Sequence, residues 1–125
     1  MIALDASAFL AFLFREKGSD RVGPHVDDSC LSAVNLSEVI GRFVRDGHDH
    51  REVLNRILAT SIEIVPFDAS DAALAASLIP ATRPLGLSLG DRACLALAIK
   101  RGIPALTADQ TWARLSLDVE IEVVR

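Results

Sequence analysis

The chain has 125 residues, 50% of them hydrophobic, and 17 acidic side chains against 13 Lys and Arg give a formal net charge of -4. That length is enough for one domain with its own core, with no need of disulfides or a structural metal. The negative balance excludes a protein that grips nucleic acid chiefly by charge, because phosphate neutralisation supplies most of such affinity.

Residues 1–125 contain no linker, low-complexity tract or repeat, so a single domain over 1–125 is expected. Met1–Leu4 is a short apolar run that ends at Asp5, and Ala6–Arg15 has helical composition with Glu16, Lys17 and Gly18 as a stop. The apolar stretch Ala6–Phe14 falls far short of the ~20 residues that span a bilayer. It follows no basic segment and precedes no small-residue cleavage site, so a cytoplasmic protein without a membrane anchor is expected. Cys30–Val34 is a second strand candidate. The helical pattern Asn35–Gly47 follows, with Val39, Ile40, Phe43 and Val44 on one side and Glu38 in its first turn.

Asp49–Ser61 reads as a further helix and Ile62–Phe67 as a strand terminated by Pro66. Asp68–Ile79 is an Ala-rich helix with its own Asp and Ser caps, and a loop over Pro80–Pro84 leads to the helical pattern of Leu87–Gly102, in which Asp91 sits at the start. The run "IPALTAD", Ile103–Asp109, has the composition of a buried strand, "QTWARL" that of a short helix, and "VEIEVV" that of an alternating edge strand. Strands alternating with helices imply right-handed crossovers and a mostly parallel sheet covered on both faces, an α/β fold of three layers, α/β/α. Ligands of such sheets bind past the carboxyl ends of the strands, where Asp5, Glu38 and Asp109 fall.

Each acid has a plain structural reason. Asp5 is placed to cap the first helix, Asp109 to cap "QTWARL", and Asn35 with Glu38 and Ser88 with Asp91 have the spacing of a capping box. A topology that gathers the strand ends adds a second reason, because carboxylates brought together repel and must share a cation or take up protons. Hard oxygen ligands with no His or Cys beside them suit Mg2+ or Mn2+. Such ions polarise a phosphodiester and lower the pKa of the attacking water, so phosphodiester hydrolysis is the chemistry expected. Ser7 and Thr107, each two positions from Asp5 or Asp109, are hydroxyls able to orient those carboxylates, with turn and cap chemistry as the alternative.

Four stretches carry a resemblance: "LDAS" at Leu4–Ser7, Glu38 after "SAVNLS", "LSLGDRACLALA" at Leu87–Ala98, and "LTADQTW" at Leu106–Trp112. Together they resemble the four motifs of the PIN-domain family, in that family's order. The compact length is most similar to the VapC toxins of bacterial toxin–antitoxin pairs. The resemblance implies a PIN-like ribonuclease domain dependent on Mg2+ or Mn2+, with Asp5, Glu38, Asp91 and Asp109 as the acidic quartet that binds metal and activates water, and with Ser7 and Thr107 in support. It also implies an RNA substrate, a homodimer, and a cognate antitoxin whose C-terminal segment lies across the toxin and often places an Arg in the acidic site.

Arg42 and Arg45 follow Glu38 on one helical face, where they are candidates for RNA phosphates, and Arg92 adjoins Asp91. A Glu38–Arg42 ion pair is the alternative for Arg42. With aromatics at 5% and no Tyr, a base-stacking platform is not expected. "AFLAFLF", Ala8–Phe14, is apolar on nearly every helical face, which suits either full burial or a partner. Cys30 and Cys94 read as buried free thiols, and "GHDH", Gly47–His50, as an exposed loop. Two other functions remain open at this level. One is a haloacid-dehalogenase-like phosphatase with Asp5 as nucleophile, although Ser7 stands where those enzymes carry a second acid; the other is a non-catalytic scaffold in which the acids are caps only.

Overall fold

A computed structural model describes all residues, Met1–Arg125. Five short strands, β1 (Ile2–Leu4), β2 (Ser29–Ser32), β3 (Glu63–Val65), β4 (Ala105–Thr107) and β5 (Ile121–Val123), form one sheet in the order β3-β2-β1-β4-β5. Every pairing is parallel, so the sheet is wholly rather than mostly so, and β5 is an edge strand as its alternation suggests. Seven helices accompany it: α1 (Ala6–Leu13), α2 (Ser19–Val22), α3 (Ala33–Arg45), α4 (His50–Leu58), α5 (Ala69–Ser77), α6 (Ile79–Thr82) and α7 (Leu89–Arg101).

The two-residue period of the strands divides the core between the two faces of the sheet. Leu4, Leu31 and Leu106 point to one face, where they pack with Phe9 of α1, Val22 of α2, Val39 of α3 and Val53 and Ile57 of α4. Each such leucine, fully buried, contributes about 1.5–3 kcal/mol relative to exposure. Ala3, Cys30 and Ala105 point to the other face, beneath Cys94, Leu95 and Ala98 of α7, with Ala75 of α5 and Trp112 in the same cluster. Small side chains on that face let α7 lie close over β1: its Cys94 thiol reaches the Ala3 carbonyl at 4.0 Å. Both thiols are free and buried, as expected.

Several expected boundaries move. The second strand ends at Ser32 instead of Val34, because the Ser32 hydroxyl accepts from the Val34 amide at 3.2 Å and starts α3 at Ala33. Asn35 is therefore inside α3, not at its cap, and Glu38 lies in the second turn instead of the first. The Pro80–Pro84 segment is helical, forming the end of α6 and a 3₁₀ turn at Arg83–Leu85. The prolines occupy first-turn positions, where no amide donor is needed. Residues 19–28, for which no element is expected, form α2 and a 3₁₀ turn at Gly23–Asp28. Gly102 ends α7 in a left-handed conformation, φ 63°, before the chain enters β4. No helix is long and apolar enough to cross a membrane.

Candidate active site

β1 and β4 are adjacent and parallel, so the residues that follow them emerge side by side at the carboxyl end of the sheet. Asp5 stands there with extended backbone, directly before α1, yet its side chain makes no capping bond. Ser7 Oγ donates to Asp5 Oδ2 at 2.6 Å, and Thr107 Oγ1 donates to the same oxygen at 3.0 Å. Each hydroxyl is held in turn by the chain from β4: the Ala108 amide donates to Ser7 Oγ at 3.0 Å and the Asp109 amide to Thr107 Oγ1 at 3.1 Å. Both supporting residues thus orient Asp5 and leave Oδ1 without a protein donor.

Asp5 is only 3% exposed, and burial pushes its carboxyl pKa from 3.8 up to about 7. The hydrogen bond from Ser7 opposes that rise and the negative charge of Asp91 adds to it; the Thr107 hydroxyl and the Glu38 charge act in the same two senses more weakly. Glu38, on the open rim of the site, is raised as well, first by partial desolvation of its carboxyl, against the bond from Asn35 and with the charge of Asp91. Asp5, Glu38 and Asp91 are therefore one electrostatic group.

Asp91 keeps its cap as well. Ser88 N donates to Asp91 Oδ2 at 2.7 Å, and the Asp91 amide reaches Ser88 Oγ at 3.4 Å, a full capping box at the start of α7. Asp109 also caps, accepting from the Thr111 amide at 2.9 Å and the Thr111 hydroxyl at 2.8 Å on Oδ1. It connects to Asp5 through Thr107, whose hydroxyl bridges the Asp109 amide and the Asp5 carboxyl.

No group of three or more acidic, His or Cys side chains is arranged to hold a metal ion as these side chains stand. The donor chemistry still fits a hard divalent cation. Mg2+ binds through one or two carboxylates and keeps several waters, so three converged ligands are not required. A buried carboxyl raised by two neighbouring negative charges, with one oxygen free of donors, is the surrounding that such an ion relieves.

The three arginines are less well placed than the acids. Arg42 does not pair with Glu38; its Nε lies 3.4 Å from Asp46, and its guanidinium sits 4.8 Å over the Phe14 ring. Arg92 turns away to donate to the Leu87 carbonyl at 3.1 Å, and its Nε is buried without a partner. Arg45 is exposed near the end of α3. His48 and His50 are exposed and not part of the acid group, although His50 begins α4 instead of lying in the expected loop. Two residues beside the acids have roles that the sequence reading does not give: Asn35, expected only as a cap partner of Glu38, and Gly90. Asn35 donates through Nδ2 to Glu38 Oε1 and to the Gly90 carbonyl, both at 2.9 Å, and Gly90 itself is packed against the Glu38 carboxyl. A glycine inside a helix, immediately before Asp91, is the one sequence signal for that contact.

Comparison with known proteins places the chain in a family. The family model described as PIN domain matches residues 2–117. Comparison with curated protein sequences gives no significant match. Among solved structures, the chain is similar to VapBC2 from Rickettsia felis bound to a DNA fragment from their promoter, with a TM-score of 0.71, 16% identity and 100% of both chains covered. DNA-bound VapBC from Salmonella typhimurium gives a TM-score of 0.69 at 16% identity, over 99% of this chain and 98% of that one. FitAcB from Neisseria gonorrhoeae gives 0.66 at 24% identity, over 97% and 96%. At these identities the likeness is one of fold.

Proposed function

The chain belongs to the PIN domain family, and on that premise we propose that it is a metal-dependent ribonuclease, the toxin of a toxin–antitoxin pair. PIN domains are generally nucleases, which supports a phosphodiester hydrolase. The observation that carries the reading is the buried Asp5 carboxyl at the end of the central strand β1, raised by burial and by the charges of Asp91 and Glu38. Nothing in the comparisons supports a phosphoaspartate enzyme or a catalytically silent scaffold.

In this reading Asp5 and Asp91 hold Mg2+ or Mn2+, with Glu38 and Asp109 completing the acidic quartet. When bound, the ion lowers the pKa of the attacking water and offsets charge developing on the phosphate. Ser7 and Thr107 fix the Asp5 carboxylate by occupying Oδ2, which leaves Oδ1 as the oxygen that would hold the ion. Asp91, held by Ser88, and Asp109, held by Thr111, would complete the set from their capping positions. Arg45, exposed and free of an ion pair, is the first candidate for an RNA phosphate, ahead of Arg42 and Arg92, whose guanidinium groups are engaged elsewhere.

An antitoxin partner is supported by neighbours that are VapBC assemblies and by one described as a toxin–antitoxin complex from Klebsiella pneumoniae. On this chain α1 divides its apolar face: Phe9 is buried, while Leu13 is 36% exposed and Phe14 37%. That exposed end suits a partner, and a cytoplasmic homodimer completes the reading.

The test is cleavage of total bacterial RNA by the purified chain with Mn2+, with EDTA, and with Asp91→Asn. Cleavage that needs both the metal and Asp91 is expected; cleavage retained by Asp91→Asn would refute the acidic site.

A further inference from the structure

We propose that Asn35 is a positioning residue that sets the Glu38 carboxylate beside Asp91, and that Gly90 is the space it is set into. The inference rests on the acidic site proposed above. Asn35 is 0% exposed and sits in the third position of α3. Its Nδ2 carries two hydrogens and serves two acceptors, Glu38 Oε1 and Gly90 O, each at 2.9 Å. Turning the amide over would set Oδ1 against both oxygens, so hydrogen-bond chemistry fixes its orientation.

That orientation leaves Asn35 Oδ1 buried with no partner. A buried acceptor without a partner is uncommon in an interior, and here it follows from Asn35 spending both Nδ2 hydrogens on Glu38 and Gly90. Asparagine is also a poor choice for a helix interior, where it competes with the backbone it should support. Its one distinctive service here is to join Glu38, on the same helix, to the first turn of α7 across the site.

Gly90 supplies the second, independent observation. A Cβ built there would fall inside the contact distance of the Glu38 carboxyl atoms. The carboxylate therefore occupies the place that any other residue at position 90 would fill, next in sequence to Asp91. No other hydrogen bond reaches the Glu38 carboxyl, and the residue is open to solvent. Without Asn35 nothing prevents Glu38 from rotating out to water and away from Asp91.

A thermodynamic cycle with a metal readout separates this role from a structural one. Isothermal titration with Mn2+ is made on wild type, Asn35→Ala, Glu38→Ala and the double variant, with circular dichroism as the check on folding. Asn35→Ala is expected to weaken Mn2+ binding about 10-fold or more in the Glu38 background, the usual scale for a group that orients a metal ligand, and less than about twofold in the Glu38→Ala background. Gly90→Ala, which displaces Glu38 while keeping the Asn35 side chain and the Gly90 carbonyl it donates to, is the second variant and should show the same dependence on Glu38. An equal loss in both backgrounds, or no loss in folded variants of a wild type that binds Mn2+, would overturn the positioning role and leave the metal site standing. A wild type that binds no Mn2+ would overturn the metal reading itself, and this role with it.

Discussion

Asp5→Asn in the metal-free protein tests the electrostatics of the site without reference to catalysis. The amide is isosteric, and its oxygen can accept from Ser7 and Thr107 as Oδ2 does. A carboxyl raised from 3.8 to about 7 binds its proton more tightly in the folded than in the unfolded chain, so ionising it costs stability. At 1.36 kcal/mol per unit of pKa, a rise of about three units corresponds to about 4 kcal/mol. Worked through by sign, that cost is absent below about pH 4, where both states hold the proton. It grows from pH 4 to 7 and stays constant above pH 7. Urea unfolding in EDTA at half-unit pH steps should therefore show the Asn variant gaining on wild type by about 4 kcal/mol between pH 4 and 8, largely within pH 4 to 7. The difference cancels the titrating groups remote from Asp5, while its repulsion with Asp91 and Glu38 disappears with the charge and is part of the gain. A difference that stays flat to within about 1 kcal/mol across that window would refute a buried, raised carboxyl at this position. Saturating Mn2+ at neutral pH should then stabilise wild type, by about 2.7 kcal/mol at 100 times Kd, and leave the variant nearly unmoved.

Three further outcomes follow from the same contacts. Gly90→Ala gains up to about 1 kcal/mol on helix propensity, and because its Cβ meets only the flexible end of the Glu38 side chain, Glu38 should swing out to water at a cost of about 0.5–1.5 kcal/mol for its bond from Asn35. Thermal or urea unfolding should therefore show a net change within about 1 kcal/mol, and a loss of more than about 2 kcal/mol would mean that Glu38 cannot yield. Asp91→Ala should cost about 1 kcal/mol through the lost capping box, while Asp91→Asn, which keeps an acceptor for the Ser88 amide, should cost less; RNA cleavage should disappear in both, and its survival in the Asn variant would make Asp91 a cap alone. Arg45→Ala should weaken RNA binding and reduce the slope of log affinity against log salt by about 1 without altering Mn2+ affinity, measured by fluorescence anisotropy; an unchanged slope would remove Arg45 from the RNA contact.

Much of this arrangement is legible in the sequence because strand ends and helix starts leave local marks. Asp5 after an apolar run, Asp91 after Ser88 and Asp109 after "LTA" each announce a strand–helix or loop–helix junction, and the β/α alternation then brings Asp5 and Asp109 to one end of the sheet. What the sequence hides is the direction in which a side chain turns. Asp5 is spaced as a cap and is not one, because two hydroxyls from positions 7 and 107 hold it elsewhere. Asn35 has the spacing of a capping box with Glu38 and makes a contact with Gly90, 55 positions away, that no local rule contains. Arg42, four residues after Glu38, is drawn instead to Asp46 and to the Phe14 ring. Prolines at 80 and 84 suggest a loop, yet each falls where a helical first turn tolerates it. Local propensity locates the elements, and long-range hydrogen bonds decide which of their polar groups are free.

The question of whether these acids are caps or ligands has a different answer for each, and the difference has a use. Asp5 does not cap: its backbone position is right, but both of its donors hold the carboxyl elsewhere. It is the fixed member. Asp91 and Asp109 do cap, through hydrogen bonds whose loss costs about 1 kcal/mol apiece. A cation that bound Asp5 with even modest affinity would contribute more than that, so the caps would not bar either acid from the proposed ion. Glu38 is neither fixed by burial nor tied to a cap, and its one hydrogen bond is to Asn35. In the proposed site one acid is held rigidly, two stand on caps and one is held by a neighbour's amide, and a cation would offset the repulsion among them. The Asn35 contact is then the place where the fourth acid's position is decided by something other than the ion.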